Sequence, residues 1–360
     1  AAQRQALADV PFSGRLWADW HERDGLNVEG ELSAEQLSVA ALVGLEDEQK
    51  AKARLRFALF QRDQNWALHF DRLQGSWLGQ AADFSGLHLN GDLSAEALRI
   101  RMPSVNVAQM AELVMSTPGV PESTRRILTE LKPTGLLQRL DVSLPLTKTE
   151  MDDFSLRGEF KQLTIEPWMG APGVSGAEGF VEGGWREGVL TTHSPELALF
   201  FPKVYEAPLQ LQDVQAQVSW QIENNKVVVN SGLIQARDGD ASAGAILALD
   251  LPLERGQTPL MTLMVGMRDG GIAQRDKYIP YKLNPALQRW LRDSVQAADL
   301  SAGGFIYRGS LLAGDHDNRT VQLWLDIAEG SLMFDPRWPP IRELRAQLLL
   351  DDSTLSIEGQ

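Results

Sequence analysis

At 360 residues and 43% hydrophobic content, the chain can build two or three globular domains or one long repetitive sheet. A formal net charge of -14, without any run of clustered Lys and Arg, excludes nucleic acid as a partner and disfavours flat adhesion to anionic lipid surfaces, since both need concentrated positive charge. The absence of cysteine removes disulfides, thiolate metal sites and thiol catalysis together, and fits an oxidising compartment.

No apolar run approaches the ~20 residues that span a bilayer, the nearest being VAALVGL at residues 39–45. The chain begins at Ala1 without Met or a leader pattern and stops at Gln360 just after a strand-like TLSIEG, so it reads as a piece of a larger protein.

The first informative phrase is GELSAEQL at residues 30–37, which returns as GDLSAEAL at residues 91–98. Apolar residues at period two flank both copies: Leu26 and Val28, then Leu37 and Val39; Leu87 and Leu89, then Leu98 and Ile100. The pattern predicts strand, turn, strand, with Leu87, Leu89, Gly91 and Leu93 on one face and His88, Asn90 and Asp92 on the other. A helical capping box from Ser33 or Ser94 competes with that reading, but the apolar period is two where a helix needs 3.6. Repetition of the phrase suggests a chain that grows by adding similar hairpins to one sheet.

The alternation continues through Leu55, Phe57 and Leu59, through Trp66, Leu68 and Phe70, and through Leu140, Val142 and Leu144. It returns at Phe154, Leu156, Gly158 and Phe160, at Val227 and Val229, and at Leu323, Leu325 and Ile327. Asn224-Asn225, Asp238-Gly239-Asp240 and Asp315-His316-Asp317-Asn318 supply turn residues between strands, as antiparallel hairpins require. In APLQLQDVQAQVSW the apolar parity shifts from Leu209 and Leu211 to Val214, Ala216, Val218 and Trp220, which predicts a bulge near Gln212 or Asp213.

Two regions read as helix. Residues 107–132 give a pair, with Val107, Met110, Ala111 and Val114 on the first member and Ile127, Leu128 and Leu131 on the second; Thr117-Pro118-Gly119 divides them and Pro121 starts the second. NPALQRWLRDSVQAA, residues 284–297 and one beyond, opens with Asn284 as N-cap and Pro285 in the first turn, then places Leu287, Trp290, Leu291 and Val295 on one stripe. Residues 1–105, 133–283 and 298–360 are expected to be β.

Catalytic and metal chemistry find little support. His21, His69, His88, His193 and His316 never pair at metal-ligand spacing and read as solvent-face or turn residues. The cluster at residues 315–318 lacks the spacing of a calcium loop and reads as a polar hairpin tip. Gly173-Val174-Ser175-Gly176 and Ala241-Ser242-Ala243-Gly244 miss the G-x-S-x-G form, and Gly183, Gly184 and Gly188 have no phosphate-loop Lys. Asp152-Asp153 and Asp351-Asp352 read as loop neighbours. No cofactor, metal or catalytic residue is expected. What remains is the apolar stripe, together with Met261, Met264 and Met267 and ten tryptophans; in an ordinary sandwich such stripes bury one another.

From about residue 158 to 359 the wording resembles the YhdP branch of the AsmA-like proteins. The blocks are LTIEPWMGAPGVSGAEGFVEGGWREGVL, LALFFPKVYEAPLQLQDVQAQVSW, KYIPYKLNPALQRWLRDSVQAADLSAGGFIYRGSL and FDPRWPPIRELRAQLLLDDSTLSIEG, in that order. Tyr278-Ile279-Pro280 leading to Trp290-Leu291, then Gly303-Gly304, Gly309 and Trp338-Pro339, are the most specific pieces. Phe334 stands where a tyrosine is expected, and residues 315–318 lack an expected apolar segment.

The resemblance implies a mainly β fold, an elongated, twisted antiparallel sheet curled into a U-shaped hydrophobic groove with a few short helices. It implies the periplasmic part of an inner-membrane-anchored protein of a Gram-negative bacterium, with the anchor outside these residues. Phospholipid acyl chains are the implied cargo, moved toward the outer membrane, with outer-membrane or periplasmic proteins as further partners and no catalytic residues. The residues expected to line the groove are Leu55, Phe57, Leu59, Leu68, Phe70, Leu87, Leu89, Leu93, Leu98, Ile100, Leu140, Val142, Leu144, Phe154, Leu156, Phe160, Val227, Val229, Leu247, Leu249, Leu263, Leu323, Leu325, Ile327, Leu348 and Leu350. A scaffold or assembly factor for outer-membrane proteins, binding through sheet edges, is the alternative.

Overall fold

The computed structural model describes residues 12–38, 50–77, 80–92, 97–116, 122–145, 154–168, 172–184, 186–254, 256–281, 285–312, 314, 315, 317–333, 335, 337–352 and 354–359. Leu93, Asn284, His316, Asp152-Asp153 and the dividing residues 117–121 lie outside them. The described residues form twenty strands and four helices, so the fold is mainly β. They fall into two units, Ala1–Lys161 with Val181–Trp185, and Gln162–Phe180 with Arg186–Gln360.

In the first unit an antiparallel meander runs through β1 (Phe12–His21), β2 (Gly25–Ser38), β3 (Lys50–Arg62) and β4 (Asn65–Trp77). β4 then pairs with both β5 (Gln80–Asp83) and β6 (Leu87–Asp92), and the ladder continues through β7 (Ala97–Asn106) and β8 (Thr134–Pro145). Helices α1 (Val107–Ser116) and α2 (Glu122–Leu131) fill the β7–β8 connection, as the apolar spacing predicts. β9 (Ser155–Ile165) and β10 (Gly173–Gly184) contribute residues to both units.

The second unit continues with β11 (Glu187–Phe200), β12 (Leu209–Glu223), β13 (Lys226–Ser231), β14 (Ile234–Asp238), β15 (Ala241–Pro252) and β16 (Leu260–Gly270). Helices α3 (Ile272–Tyr278) and α4 (Pro285–Ser294) lead into β17 (Val295–Ser310), followed by β18 (Arg319–Leu332), β19 (Ala346–Asp351) and β20 (Thr354–Gly359). Neighbours in this ladder also pair antiparallel.

The two copies of the repeated phrase do not fold alike. The second brackets the β6–β7 hairpin, with Gly91 opposite Leu98, but the first lies inside β2 without a turn. The reason is partner supply: β6 runs out of partner where Asp92 meets Asn65 beside the β3–β4 turn, whereas Glu31–Ala34 of β2 still has β3 opposite it, Leu32 facing Leu55 and Ala34 facing Ala53. Two helix expectations also change. α4 stops at Ser294, and Val295–Ala297 open β17, whose pairing with β18 begins at Val295 opposite Leu332. The stretch expected to be β up to residue 283 contains α3, a seven-residue helix too short to show a 3.6-residue period.

The parity shift in β12 is a bulge. The β12–β14 register slips between Gln212 and Gln215, and Asp213 adopts φ 50°. Asp213 faces Pro195 across the β11–β12 ladder, between the pairs Ser194–Val214 and Glu196–Gln212. The first unit repeats the device: Pro103 of β7 faces Arg139 of β8, φ 49°, between Met102–Leu140 and Ser104–Gln138. Proline has no N–H to give the ladder, so a residue turned out of the pleat opposite it leaves no donor stranded. Leu209, Leu211 and Val214 thereby stay on one side of β12.

Candidate functional site

The register places the expected lining on one face in each unit. Across the first unit a row runs Ala18, Val28, Leu59, Leu68, Leu89, Ile100, Val142, one residue from each of seven strands. At ~4.8 Å per strand that row is about 29 Å wide. Beside it run Phe57, Phe70 and Leu87 on one side and Leu98 opposite Leu144 on the other. Gly158 of β9 would drive a Cβ to 3.2 Å from Leu140 Cδ1, which puts Leu156 and Phe160 on this face too; Phe154 precedes the strand.

In the second unit a row runs Ile234, Ala245, Val265, Phe305, Leu323, Leu350, Leu355, and the next runs Ala236, Ala243, Met267, Gly303, Leu325, Leu348, Ile357. Val229 opposite Leu249, Val227 opposite Leu251, and Leu247 opposite Leu263 extend the face toward β12, and Ile327 faces Ala346. Sequence reasoning left Val265, Phe305, Val321 and Ile357 out of the lining although they carry the same period-two signal.

Of the expected lining residues that are described, only Leu140 and Phe160 are buried; the rest are partly open. The other buried apolar residues are Val105 near the end of β7, Ala111 within α1, Leu197, Leu209 and Val214 beside the bulge, and the small Ala177, Ala241 and Ala346. Among the described residues the strand faces therefore do not form a sealed core, and no second sheet packs on them as in a sandwich.

Glycines on the face make room for large side chains. Trp66 lies over Gly91, where a Cβ would sit 3.2 Å from Cζ2, and Trp220 lies over Gly188, where a Cβ would be 2.1 Å from Cζ2. Leu16 and Phe57 meet over Gly30. On the opposite face of the first unit Arg99 donates to both carboxylate oxygens of Asp141 at 2.8 and 2.6 Å, but Trp17 and Phe60 are exposed on that face as well. In the second unit it is not uniformly polar: Ile246 and Met264 pair on it, as do Trp324 and Leu349, and all four are exposed. β15 is apolar at both parities, AILALDL, so alternation alone cannot separate its faces.

Two histidines on the face opposite the apolar rows also pair with each other. His69 and His88, on paired strands, bring their Nδ1 atoms to 2.9 Å and their ring centroids to 3.8 Å. His69 Nε2 donates to Asp71 Oδ1 at 2.7 Å, so a neutral His69 accepts through Nδ1 and His88 donates. Burial first, then His69 and Arg101, holds the His88 pKa below the usual histidine value, with Asp71 pulling the other way. Separation by 19 positions hid this pair from spacing arguments.

Helix α3 is tied down by a second polar cluster. Lys277 Nζ donates to Asp238 Oδ1 and to Gln210 O, both at 2.7 Å, and Tyr278 OH donates to Asp238 Oδ2 at 3.0 Å. Burial, then Asp238, pushes the Tyr278 phenol well above its ordinary pKa. Asp351 and Asp352 serve their own strand ends: Asp352 Oδ1 accepts from Val321 N at 2.8 Å and Asp351 Oδ1 from Gln322. Among the described residues no group of three or more His, Asp and Glu side chains is placed to hold a metal ion, and no helix is long and apolar enough to cross a membrane.

Among the described residues, each unit thus presents an antiparallel face that is apolar and partly open from strand to strand. The chain belongs to the YhdP family: the family model described as YhdP protein matches residues 4–360. It is 22% identical over 260 residues to the intermembrane phospholipid transporter YhdP of Escherichia coli (strain K12), an alignment covering 71% of this chain and 20% of that protein. The chain thus spans about a fifth of that relative's length. No solved structure matches it.

Proposed function

We propose that the chain is a section of an intermembrane phospholipid transporter of the Gram-negative envelope, and that it shields acyl chains on the apolar face of its strands while headgroups stay in water. The observation that carries this reading is the row from Ile234 to Leu355, which is apolar in every strand and only partly covered along most of its length. The family assignment supports it, as does the printed function of the relative.

The energetic need is large. Exposing hydrocarbon costs about 0.8 kcal/mol per methylene, so a chain of roughly sixteen carbons costs on the order of 12 kcal/mol and two chains about twice that. A lining of Leu, Val, Ile and Phe offsets most of it without burying any charge. Burial and dispersion are nearly free of direction, so a lipid slides from Leu323 to the next strand without breaking specific bonds. The role is non-catalytic, the setting is the periplasm, and anchoring to the inner membrane falls to residues outside this chain.

The test is a parity pair on β18. A photoreactive residue replacing Leu325 should trap phospholipid, and the same probe at Gln322, on the other face, should not; equal labelling would defeat the reading.

A further inference from the structure

The strands of the first unit end at two unlike edges. At one lie the β1–β2 and β3–β4 turns, and at the other the helical β7–β8 connection. The last row of the apolar face at the turn edge is also the most polar one: Trp20, Leu26, Gln61, Trp66, Gly91. Moving away from that edge, the face becomes aliphatic and phenyl, through Leu59 and Phe57 to Leu55.

A hollow of about 590 Å³ opens there, lined by Trp20, Leu26 and Gln61 from the face and by Glu22, Arg23, Asp24, Arg62 and Asp63 from the turns. His21 and Gly25 complete it. Gly25, φ 82°, brings the two turns together, since a Cβ there would stand 2.1 Å from Gln61 O. Hydrocarbon-compatible surface thus meets fixed charges of both signs within one cavity. Arg62 Nε is 4.0 Å from Asp63 Oδ2 and both side chains are largely exposed, so the guanidinium can turn to an incoming anion.

We propose that this hollow seats the headgroup of a glycerophospholipid whose acyl chains lie over Leu26, Val28 and Leu59. Arg23 and Arg62 bind the phosphate, Trp20 flanks the glycerol region with an amphipathic indole, and Glu22, Asp24 and Asp63 receive an ammonium group. Two cations and three anions in the lining suit a zwitterionic amine headgroup better than a purely anionic one. The inference rests on the lipid reading above and adds to it where the headgroup sits and which kind it is.

The absence of native cysteine allows single-cysteine labelling of the full 360-residue chain. A fluorophore on Gln61→Cys should be quenched more by phospholipid spin-labelled on the headgroup than by lipid labelled near the acyl end, and one on Leu55→Cys should show the reverse. Similar quenching by both lipids at both sites would overturn the orientation, while the Leu325 crosslink in the other unit would still report whether lipid binds at all. Arg23→Gln with Arg62→Gln should reduce headgroup quenching about threefold or more, as loss of partly exposed charge-assisted contacts would. No change in this double variant would overturn the seat. Amine-bearing zwitterionic lipid should displace the headgroup-labelled lipid better than phosphatidylglycerol with the same chains, and equal displacement would overturn the headgroup assignment. Inorganic phosphate alone should not displace it; if it does so as well as lipid, the hollow is a phosphate site and the lipid assignment falls.

Discussion

Gly188 and Trp220 show how the apolar face depends on single residues. The indole occupies the place of an absent side chain, so Gly188→Val forces either the ring or the strand to move. The expected cost is about 1–3 kcal/mol, as for other overpacked sites, read as a lower denaturant midpoint. Glycines within strands were visible in the sequence, but only the β11–β12 register, which sets Gly188 opposite Trp220, says what fills the space.

His69 and His88 set a pH dependence at the same scale. The folded His88 pKa lies below the unfolded value, so its contribution to stability is complete above that unfolded value and is lost as pH falls through the lower folded one. A second proton on the pair would also place two N–H groups face to face. Arg101 and Asp71 act on His88 in opposite directions, and they are paired in turn with Asp141 and Arg56. Between about pH 7 and pH 5, the denaturant midpoint of the native chain should fall more than that of His88→Asn. Parallel titration curves for the two proteins would show that the pair does not couple to folding.

At the scale of elements, the residues turned to positive φ opposite Pro195 and Pro103, Asp213 and Arg139, keep the apolar side chains on one side. Asp213→Val places a β-branched residue at φ 50° and should destabilise by about 1–3 kcal/mol, whereas Asp213→Gly should be tolerated. Thermal denaturation of both variants checks this, and equal losses would mean that the aspartate side chain, through Arg237 at 3.5 Å, matters more than the backbone. Asp238→Leu leaves Lys277 and Tyr278 without their shared acceptor, so hydrogen exchange in α3 should rise sharply while β18 is unchanged.

The bulge in β12 was legible because the apolar parity shifts by one residue. The α1–α2 pair was legible from its spacing and breakers. The different fates of GELSAEQL and GDLSAEAL were not, since turn or strand was decided by whether a neighbouring strand continued alongside. The end of α4 was equally hidden, because Val295 satisfies the helical stripe and the β17 pattern alike.

For the molecule as a whole, each unit carries an apolar face assembled from one or two rows per strand, and length is gained by adding strands. This much follows from alternation, and the register bears it out from Ala18 to Val142 and from Ile234 to Leu355. The exposed pairs Ile246–Met264 and Trp324–Leu349 on the other face did not follow: β15 is apolar at both parities, and Trp324 and Leu349 interrupt the polar parity of Gln322, Asp326, Gln347 and Asp351. Leu325→Asp tests the lining at this scale: a charge on the face should abolish lipid capture in a chain that still folds, as circular dichroism would show.

Native mass spectrometry of the purified 360-residue chain tests the central claim most directly. Phospholipid should be retained on the native chain and be lost from Leu325→Asp combined with Leu68→Asp. A chain that carries no lipid when purified from a membrane-containing lysate, and takes up none when offered it, would contradict the account.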